Sequence, residues 1–458
     1  MRRVFCLFIS SIALLAAAAS AVAQVEDKPF LEEERRRRME DRARSEEEHR
    51  QPFLWDAGGW VHAEFVRLDD PPDRSHRTLR YYDLRLWAEV RFERRYRAFL
   101  RLQSDYADWN TGDQFEGEDD DQVHVARVDQ AWLEGDFSSD ESKFIIRVGR
   151  EFLTLGRGLL LNGVHYGLMA DYDSGRFGLR GLVAHSIPHD DDIDQSLPNS
   201  DDSRRLFAGV EASYLLTGAH RVYGLFLVER DLNEEDPEFA GVDWGYDATY
   251  AGLGARGEVV GGLGYALEAV YEFGKSVAAG STEEESIGAL ALLVALDYTF
   301  GGEMAPYVTV EYMFGSGDPD RGSVTEGAGG NTVGTDDEGF LAFGFVQTGF
   351  SLFPRVSNIH IFRLGGSFRP LASLELFRTL ELGGYGYLYR KDEASAPISD
   401  PRSFQDDDDV GEEIDLFLRW RILSDVGFSI NFGRFMPGDA YADDDPRNFI
   451  SLGLTYGF

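Results

Sequence analysis

The 458-residue chain carries 81 acidic residues against 45 lysines and arginines, a formal charge of -36. Such a surface lacks the clustered positive charge that nucleic-acid phosphates require. A mean hydropathy of -0.30, with 50 glycines and 13% aromatic residues, does not suit a bundle of membrane helices. It does suit a large closed sheet, which dilutes its lipid-facing side chains with lumen and loop residues.

Met1 to Ala23 is expected to be a secretory signal, with Arg2 and Arg3 as its charged start, Val4 to Ala19 as its apolar middle and Ala21-Val22-Ala23 as its cleavage site. The only cysteine, Cys6, falls inside it, so no disulfide is expected after processing. Residues 24–55 then read as a charged periplasmic N-terminal segment ahead of a barrel at 56–458. Within that segment Glu32/Arg36, Glu33/Arg37 and Glu34/Arg38 stand at i,i+4 with no apolar stripe to dock, as in a solvated helix or a tail.

From Leu79 to Tyr106 the residues sort by parity. Tyr82, Leu84, Leu86, Ala88, Val90 and Phe92 form one row, and Asp83, Arg85, Trp87, Glu89, Arg91 and Glu93 form the other. Past Arg94 the pattern resumes, with Tyr96, Ala98, Leu100 and Leu102 against Arg95, Arg97, Phe99, Arg101, Gln103 and Asp105. A period of two means a strand, and strands of about 10 or more residues in long hairpins suit a tilted crossing of the hydrocarbon layer. In a closed barrel the apolar row meets lipid and the polar row faces a wet lumen.

Eighteen such segments are predicted, at 58–68, 79–93, 95–106, 123–136, 143–154, 164–172, 176–186, 204–216, 220–231, 247–259, 263–274, 286–300, 305–315, 357–369, 373–390, 411–422, 426–436 and 447–458. The fold class is therefore all-β, a transmembrane antiparallel up-and-down barrel. With the start in the periplasm, the short connections, such as Glu93–Arg95, Thr217–Ala219 and Pro370–Ala372, fall on one side. The long connections fall on the other and carry the acid: Glu116–Asp121, His189–Asp194, Asp231–Glu238, Glu283–Glu285, Asp318–Glu338, Asp406–Asp409 and Asp443–Asp445. Short periplasmic turns and long external loops are the asymmetry of outer-membrane barrels. The end agrees, since Ile450, Leu452, Leu454, Tyr456 and the terminal Phe458 share one face opposite Ser451, Gly453, Thr455 and Gly457.

Lysine occurs only at 28, 143, 275 and 391, so the cationic residues are almost all arginines. Arg85, Arg91, Arg95, Arg97, Arg101 and Arg127 fall on the polar parity near the first hairpins, with Arg147, Arg150 and Arg157 in the next strand and Arg419 and Arg421 later. The guanidinium keeps its charge and offers a planar fork to carboxylate, sulfate or phosphate, which suits a pore for anions. The competing use is bracing of the wall through lumen acids such as Asp83, Glu89, Glu93, Asp129, Glu413 and Asp415. No cofactor is expected. The acidic loops suit diffuse Ca2+ bridging to lipopolysaccharide more than a dedicated calcium loop, whose ligand spacing is absent. Gly252-Leu253-Gly254-Ala255-Arg256-Gly257 has the spacing of a dinucleotide fingerprint but opens no helix. Neither a metal-ligand spacing nor a serine in a glycine elbow is present, so an enzyme is not expected.

The segment Val148-Gly149-Arg150-Glu151-Phe152-Leu153-Thr154-Leu155-Gly156-Arg157-Gly158-Leu159 resembles the strand motif of the bacterial alginate-export porin family, and Leu352-Phe353-Pro354 with Asn358 is similar to its late large loop. The resemblance implies an eighteen-stranded outer-membrane barrel passing polyanionic alginate through an arginine-lined constriction, with Arg147, Arg150 and Arg363 as candidate pore arginines. Tyr166, Leu168 and Met169 stand where polar and basic residues are expected after the motif's loop.

The expected function is passive transport, in the export sense, of anionic polysaccharide or smaller anions by a monomer in contact with lipid, lipopolysaccharide and periplasmic export partners. A general or cation-preferring porin and a structural or adhesive barrel with ion-binding external loops are the alternatives.

Overall fold

The computed structural model describes residues 53–70, 75–109, 121–187, 204–232, 245–278, 281, 283–327 and 330–458. The expected signal at 1–23 and the charged run Glu32–Arg50 lie outside these. The eighteen strands are β1 (Phe53–Asp70), β2 (Ser75–Phe92), β3 (Tyr96–Trp109), β4 (Asp121–Asp136), β5 (Lys143–Leu155), β6 (Leu161–Asp173), β7 (Phe177–His185), β8 (Arg205–Thr217), β9 (His220–Asp231), β10 (Tyr246–Val260), β11 (Leu263–Val277), β12 (Glu284–Thr299), β13 (Tyr307–Gly315), β14 (Ile359–Phe368), β15 (Glu381–Arg390), β16 (Asp409–Arg421), β17 (Val426–Pro437) and β18 (Arg447–Gly457).

Each pairs antiparallel with its neighbour in sequence, and β1 closes on β18 with Trp60 opposite Gly457 and Asp69 opposite Asn448. At the seam Phe458 and Gly59 exchange two backbone hydrogen bonds of 2.9 Å. A Cβ on Gly59 would sit 2.6 Å from the Arg85 carbonyl oxygen, so only glycine lets three chain segments meet there.

The outer row is apolar, as expected. Tyr82, Leu84, Leu86 and Phe92 are exposed while Asp83, Arg85 and Glu89 are buried. In β18, Leu452, Leu454 and Tyr456 are exposed, as is Phe458 just past its end, while Ser451 and Thr455 are buried. An apolar surface of this extent is stable only against hydrocarbon. No helix among the described residues is long and apolar enough to cross a membrane.

Two strand expectations change. The first strand begins at Phe53, ahead of Gly58, and the strand expected at 373–390 begins only at Glu381. Leu374 and Leu376 continue the alternation in sequence, yet residues 375–377 form a 3-10 turn whose Phe377 ring stacks on Trp420, and that packing overrides the pattern.

The lumen is not polar throughout. Beyond the tip of β5, the turn 156–160 bends inward, and the connection 316–358 folds into the barrel to meet it. Gly344 and Phe345 donate backbone N–H groups to Leu159 and Gly158 at 3.0 and 2.9 Å. Leu153, Leu155, Leu160, Leu161, Phe207, Leu227 and Phe340 are fully buried in a core inside the sheet. On β12 the inward positions Ala289, Ala291 and Ala295 are small, which leaves room for the inserted chain. The inward row thus carries mainly charged side chains along β2–β4, while the inserted chain packs on Leu153 and Leu155 of β5 and on later strands and, through Phe350, with Val66, Leu68 and Leu79 of β1 and β2.

Candidate functional site

On β2 to β5 the lumen face carries a ladder of arginines and carboxylates. Arg85 meets Asp83 at 2.7 Å and Asp129 at 3.4 Å, and Arg101 also reaches Asp129. Both guanidiniums lie over the Trp60 ring, 5.6 and 5.5 Å from its centre. Two rungs lower, past Phe99 and Trp132, Arg97, Glu134 and Arg147 are direct cross-strand neighbours, so a single carboxylate receives both arginines. Trp132 lies beneath the two cations, and Arg147 continues to Glu151 at 3.1 Å. Arg91 pairs with Glu89 at 2.7 Å, and Arg127 with Asp105 at 3.2 Å.

Six of the expected pore arginines, Arg85, Arg91, Arg97, Arg101, Arg127 and Arg147, are therefore matched by acids, which is the bracing alternative. Asp83, Glu89 and Asp129 serve as that alternative names them, and Asp105, already on the polar row, joins Glu134 and Glu151 as a further partner. Two irregularities in the β3–β4 register, between Arg101/Leu102 and Gln103/Asp105, break the alternation of β4 and bring Asp129 to the lumen beside Arg85 and Arg101.

Arg150 is a correction. It stands opposite Ala131 and Tyr166, on the outward row with exposed Val148 and Leu168. Its guanidinium lies 5.6 Å from the Tyr166 ring centre, and its Nε donates to the Asp129 carbonyl at 3.1 Å. It stands three positions after Arg147, an odd offset, so the period of two puts the pair on opposite faces. Tyr166 and Leu168 are thereby explained as wall residues. Arg419 stands at the periplasmic end of β16, 4.6 Å from the Phe417 ring centre.

The glycines of the 148–159 motif act on the backbone. Gly156 has φ +59°, and a Cβ there would lie 2.3 Å from a Glu268 oxygen. Without one, the turn drops against the wall, where Gly156 N–H donates to Glu211 at 3.0 Å and Arg157 N–H to Glu268 at 2.9 Å. Glu413 does similar work for the long inserted connection, accepting N–H groups of Phe350, Ser351 and Leu352 at 2.7, 2.6 and 2.9 Å. It pins a loop rather than pairing with arginine. Glu272 accepts Leu341 N–H at 2.9 Å in the same way.

Where the two inserted segments meet the wall, a cavity of about 240 Å³ is lined by Arg157, Asn162, Glu311, Phe345, Gln347 and Arg363 among others. Arg363 bonds Glu311 and donates to the Gln347 carbonyl at 3.2 Å, with the Tyr385 ring centre 5.0 Å away. Arg157 approaches the same carboxylate at 3.7 Å. Glu268 lies behind the turn, occupied by the Arg157 backbone and by the Tyr223 hydroxyl at 2.7 Å. Glu311 was open to parity reasoning, as the inward neighbour of Thr309 and Met313 on β13, but nothing local marked it.

Of the acidic runs, 116–120, 189–194 and 233–238 lie outside the described residues. In 318–338 the acids serve the loop itself, Asp337 holding Arg321 at 2.5 Å and Asp318 accepting Glu338 N–H at 2.9 Å. Asp443, Asp444 and Asp445 bring exposed carboxylates within 4.8 Å of one another.

The family model for alginate export matches residues 61–453. No curated protein matches the chain. Among solved structures, Pseudomonas aeruginosa OccK8 (OprE) is similar over 88% of this chain and 98% of its own, with TM-score 0.56 and 12% identity. Acinetobacter baumannii OccAB1 is similar over 88% and 96%, with TM-score 0.56 and 12% identity. Pseudomonas aeruginosa OccK7 (OpdD) covers 88% and 98% at TM-score 0.54 and 13% identity. At such identities the likeness speaks for the fold alone, and it is the fold of an eighteen-stranded porin. With a lipid-facing closed sheet, a lumen narrowed by inserted loops and a family match across nearly all of that sheet, the chain belongs to the alginate export family and is a channel of the bacterial outer membrane rather than an enzyme.

Proposed function

We propose that the channel passes anionic solutes passively and that its cargo is an anionic polysaccharide such as alginate, moved outward. The observation that carries this reading is the pair of arginines lining the cavity where the inserted segments meet the wall. Arg157 and Arg363 both line the cavity and share its single lining carboxylate, Glu311, beside the neutral side chains of Asn162 and Gln347, with Glu268 and Glu211 turned to the backbone of the 156–157 turn behind them. Arg157 retains 26% side-chain exposure, enough for a passing carboxylate to accept from its guanidinium. Along β2 to β5 the paired arginines and acids cancel, so that wall neither traps nor rejects a polyanion. Selectivity then comes from fixed charge and width at one narrow place, with no chemical step.

Reversal potentials in planar bilayers under a salt gradient test this. The wild type is expected to prefer anions, and Arg157→Gln and Arg363→Gln each to lower the preference. A cation-preferring wild type would overturn the reading in favour of a general porin.

A further inference from the structure

The connection between β14 and β15 departs from most turns on the periplasmic side. Residues 93–95, 174–176, 218–219, 261–262 and 422–425 reverse the chain quickly, whereas 369–380 forms a longer excursion containing the 3-10 turn Glu375–Phe377.

This excursion folds outward. Trp420 lies on the β16 row that carries exposed Ile414 and Leu416, and its indole N–H donates to the Leu376 carbonyl at 3.0 Å. Phe377 stacks on the indole with centres 4.9 Å apart and 18° between planes. Thr379 Oγ1 donates to the Arg421 carbonyl at 2.7 Å, which ties the other end to the same strand. The segment therefore rests on the membrane side of the wall and does not lie across the mouth.

Its apolar side chains are uncovered. Leu374 and Leu376 are 51% and 52% exposed, and Leu371 and Phe368 are exposed as well. Met304 of the adjacent turn extends the patch, its carbonyl accepting Arg369 N–H at 2.8 Å. Arg369 and Arg378 flank the leucines, both exposed, and neither has an ion-pair partner among the described residues. Glu375 is the one acid in the excursion.

We propose that residues 368–380 form an interfacial hook that sinks Leu371, Leu374 and Leu376 into the periplasmic leaflet and holds the phosphate of an anionic phospholipid through Arg369 and Arg378. Two features select lipid as the occupant. The patch continues a wall that already faces hydrocarbon, with an indole at its base, the side chain favoured at the membrane–water boundary. The cations lie beside the leucines, as an amphipathic surface element places them against headgroups. Such a hook would fix the depth of the barrel edge at the thin end of β14–β16.

The full-length protein with Cys6→Ser and Leu374→Cys, labelled with bimane and reconstituted in vesicles of phosphatidylcholine with phosphatidylglycerol, gives the first readout. Blue-shifted emission, quenched by brominated lipid and not by iodide, is expected. Emission as in water, quenched by iodide, would overturn the insertion whatever soluble partner then bound there. Native mass spectrometry against the two lipids gives the second. Preference for phosphatidylglycerol is expected to fall about fivefold for each of Arg369→Gln and Arg378→Gln and to survive in the lysine variants. An unchanged preference would overturn the headgroup contact.

Discussion

Glu134→Gln separates bracing from anion binding at the arginine ladder. The carboxylate receives Nε and Nη2 of both Arg97 and Arg147, at 2.6, 3.1 and 2.5 Å for Arg97 Nε, Arg147 Nε and Arg147 Nη2. Glutamine keeps the shape, removes the charge and turns one oxygen into a donor that faces a guanidinium. A charge-assisted bond contributes about 1 kcal/mol more than a neutral one, so the four contacts together lose about 4 kcal/mol. The side chains of Arg97 and Arg147 remain 28% and 25% exposed. Water recovers part of the loss, which leaves about 2–3 kcal/mol of destabilisation. Urea unfolding in vesicles, followed by tryptophan fluorescence, measures it. The cycle with Arg97→Gln and Arg147→Gln should show the double variants less destabilised than the summed singles. The same substitution adds one uncompensated positive charge to the lumen, so the reversal potential should move toward anions. Stability within about 0.5 kcal/mol of wild type, together with additive doubles, would refute the view that this wall is held by its ion pairs.

Glu413→Ala should free the segment around 350–352, because three backbone N–H groups lose their acceptor together. Larger, noisier single-channel currents and new trypsin cleavage after Arg355 are the expected signs. Gly349→Ala attacks the same docking from the other side: at φ +141° its Cβ would lie 2.6 Å from the Tyr389 hydroxyl and 2.9 Å from Glu413 Oε1. It should cost about 1–3 kcal/mol and raise the open-state noise, while unaltered currents would contradict it. In the external loop 391–408, burial opposes the charge of Asp400, but Arg447 and Arg402 outweigh it and hold the carboxyl well below the usual carboxylate range. A depressed folded value means the contribution is complete above the unfolded pKa and lost only as pH falls through the folded one. Protection of the 391–408 amides, corrected for the intrinsic exchange rate at each pH, should therefore be the same at pH 4 as at pH 7, and lower at both in Asp400→Asn.

The wall was legible because parity is a local property. Each residue of the 79–106 hairpin declares its face without reference to any other strand, and turn length alone orders the connections into two sides. Segment 373–380 misled because leucines at 374 and 376 alternate as a strand would, and only the ring of Trp420, more than forty residues later, gives Phe377 a better place. Of the arginines expected to line the lumen, Arg150 stands on the outward row, and the job of the others could not be read from spacing. Asp129 meets Arg85 and Arg101 through a register irregularity that the broken alternation of β4 marks without saying which arginines it brings to the carboxylate.

From its residues alone, this protein was determined to be a closed, eighteen-stranded outer-membrane wall with an apolar exterior, since strand period and turn length are set by near neighbours. Tertiary structure decided which acids neutralise which arginines and that two connections enter the lumen and bury an apolar core there. It also decided that Arg157 and Arg363, far apart in the chain, converge on Glu311. Those outcomes rest on pairings between strands remote in sequence, and a pairing has no signature until both partners are in place.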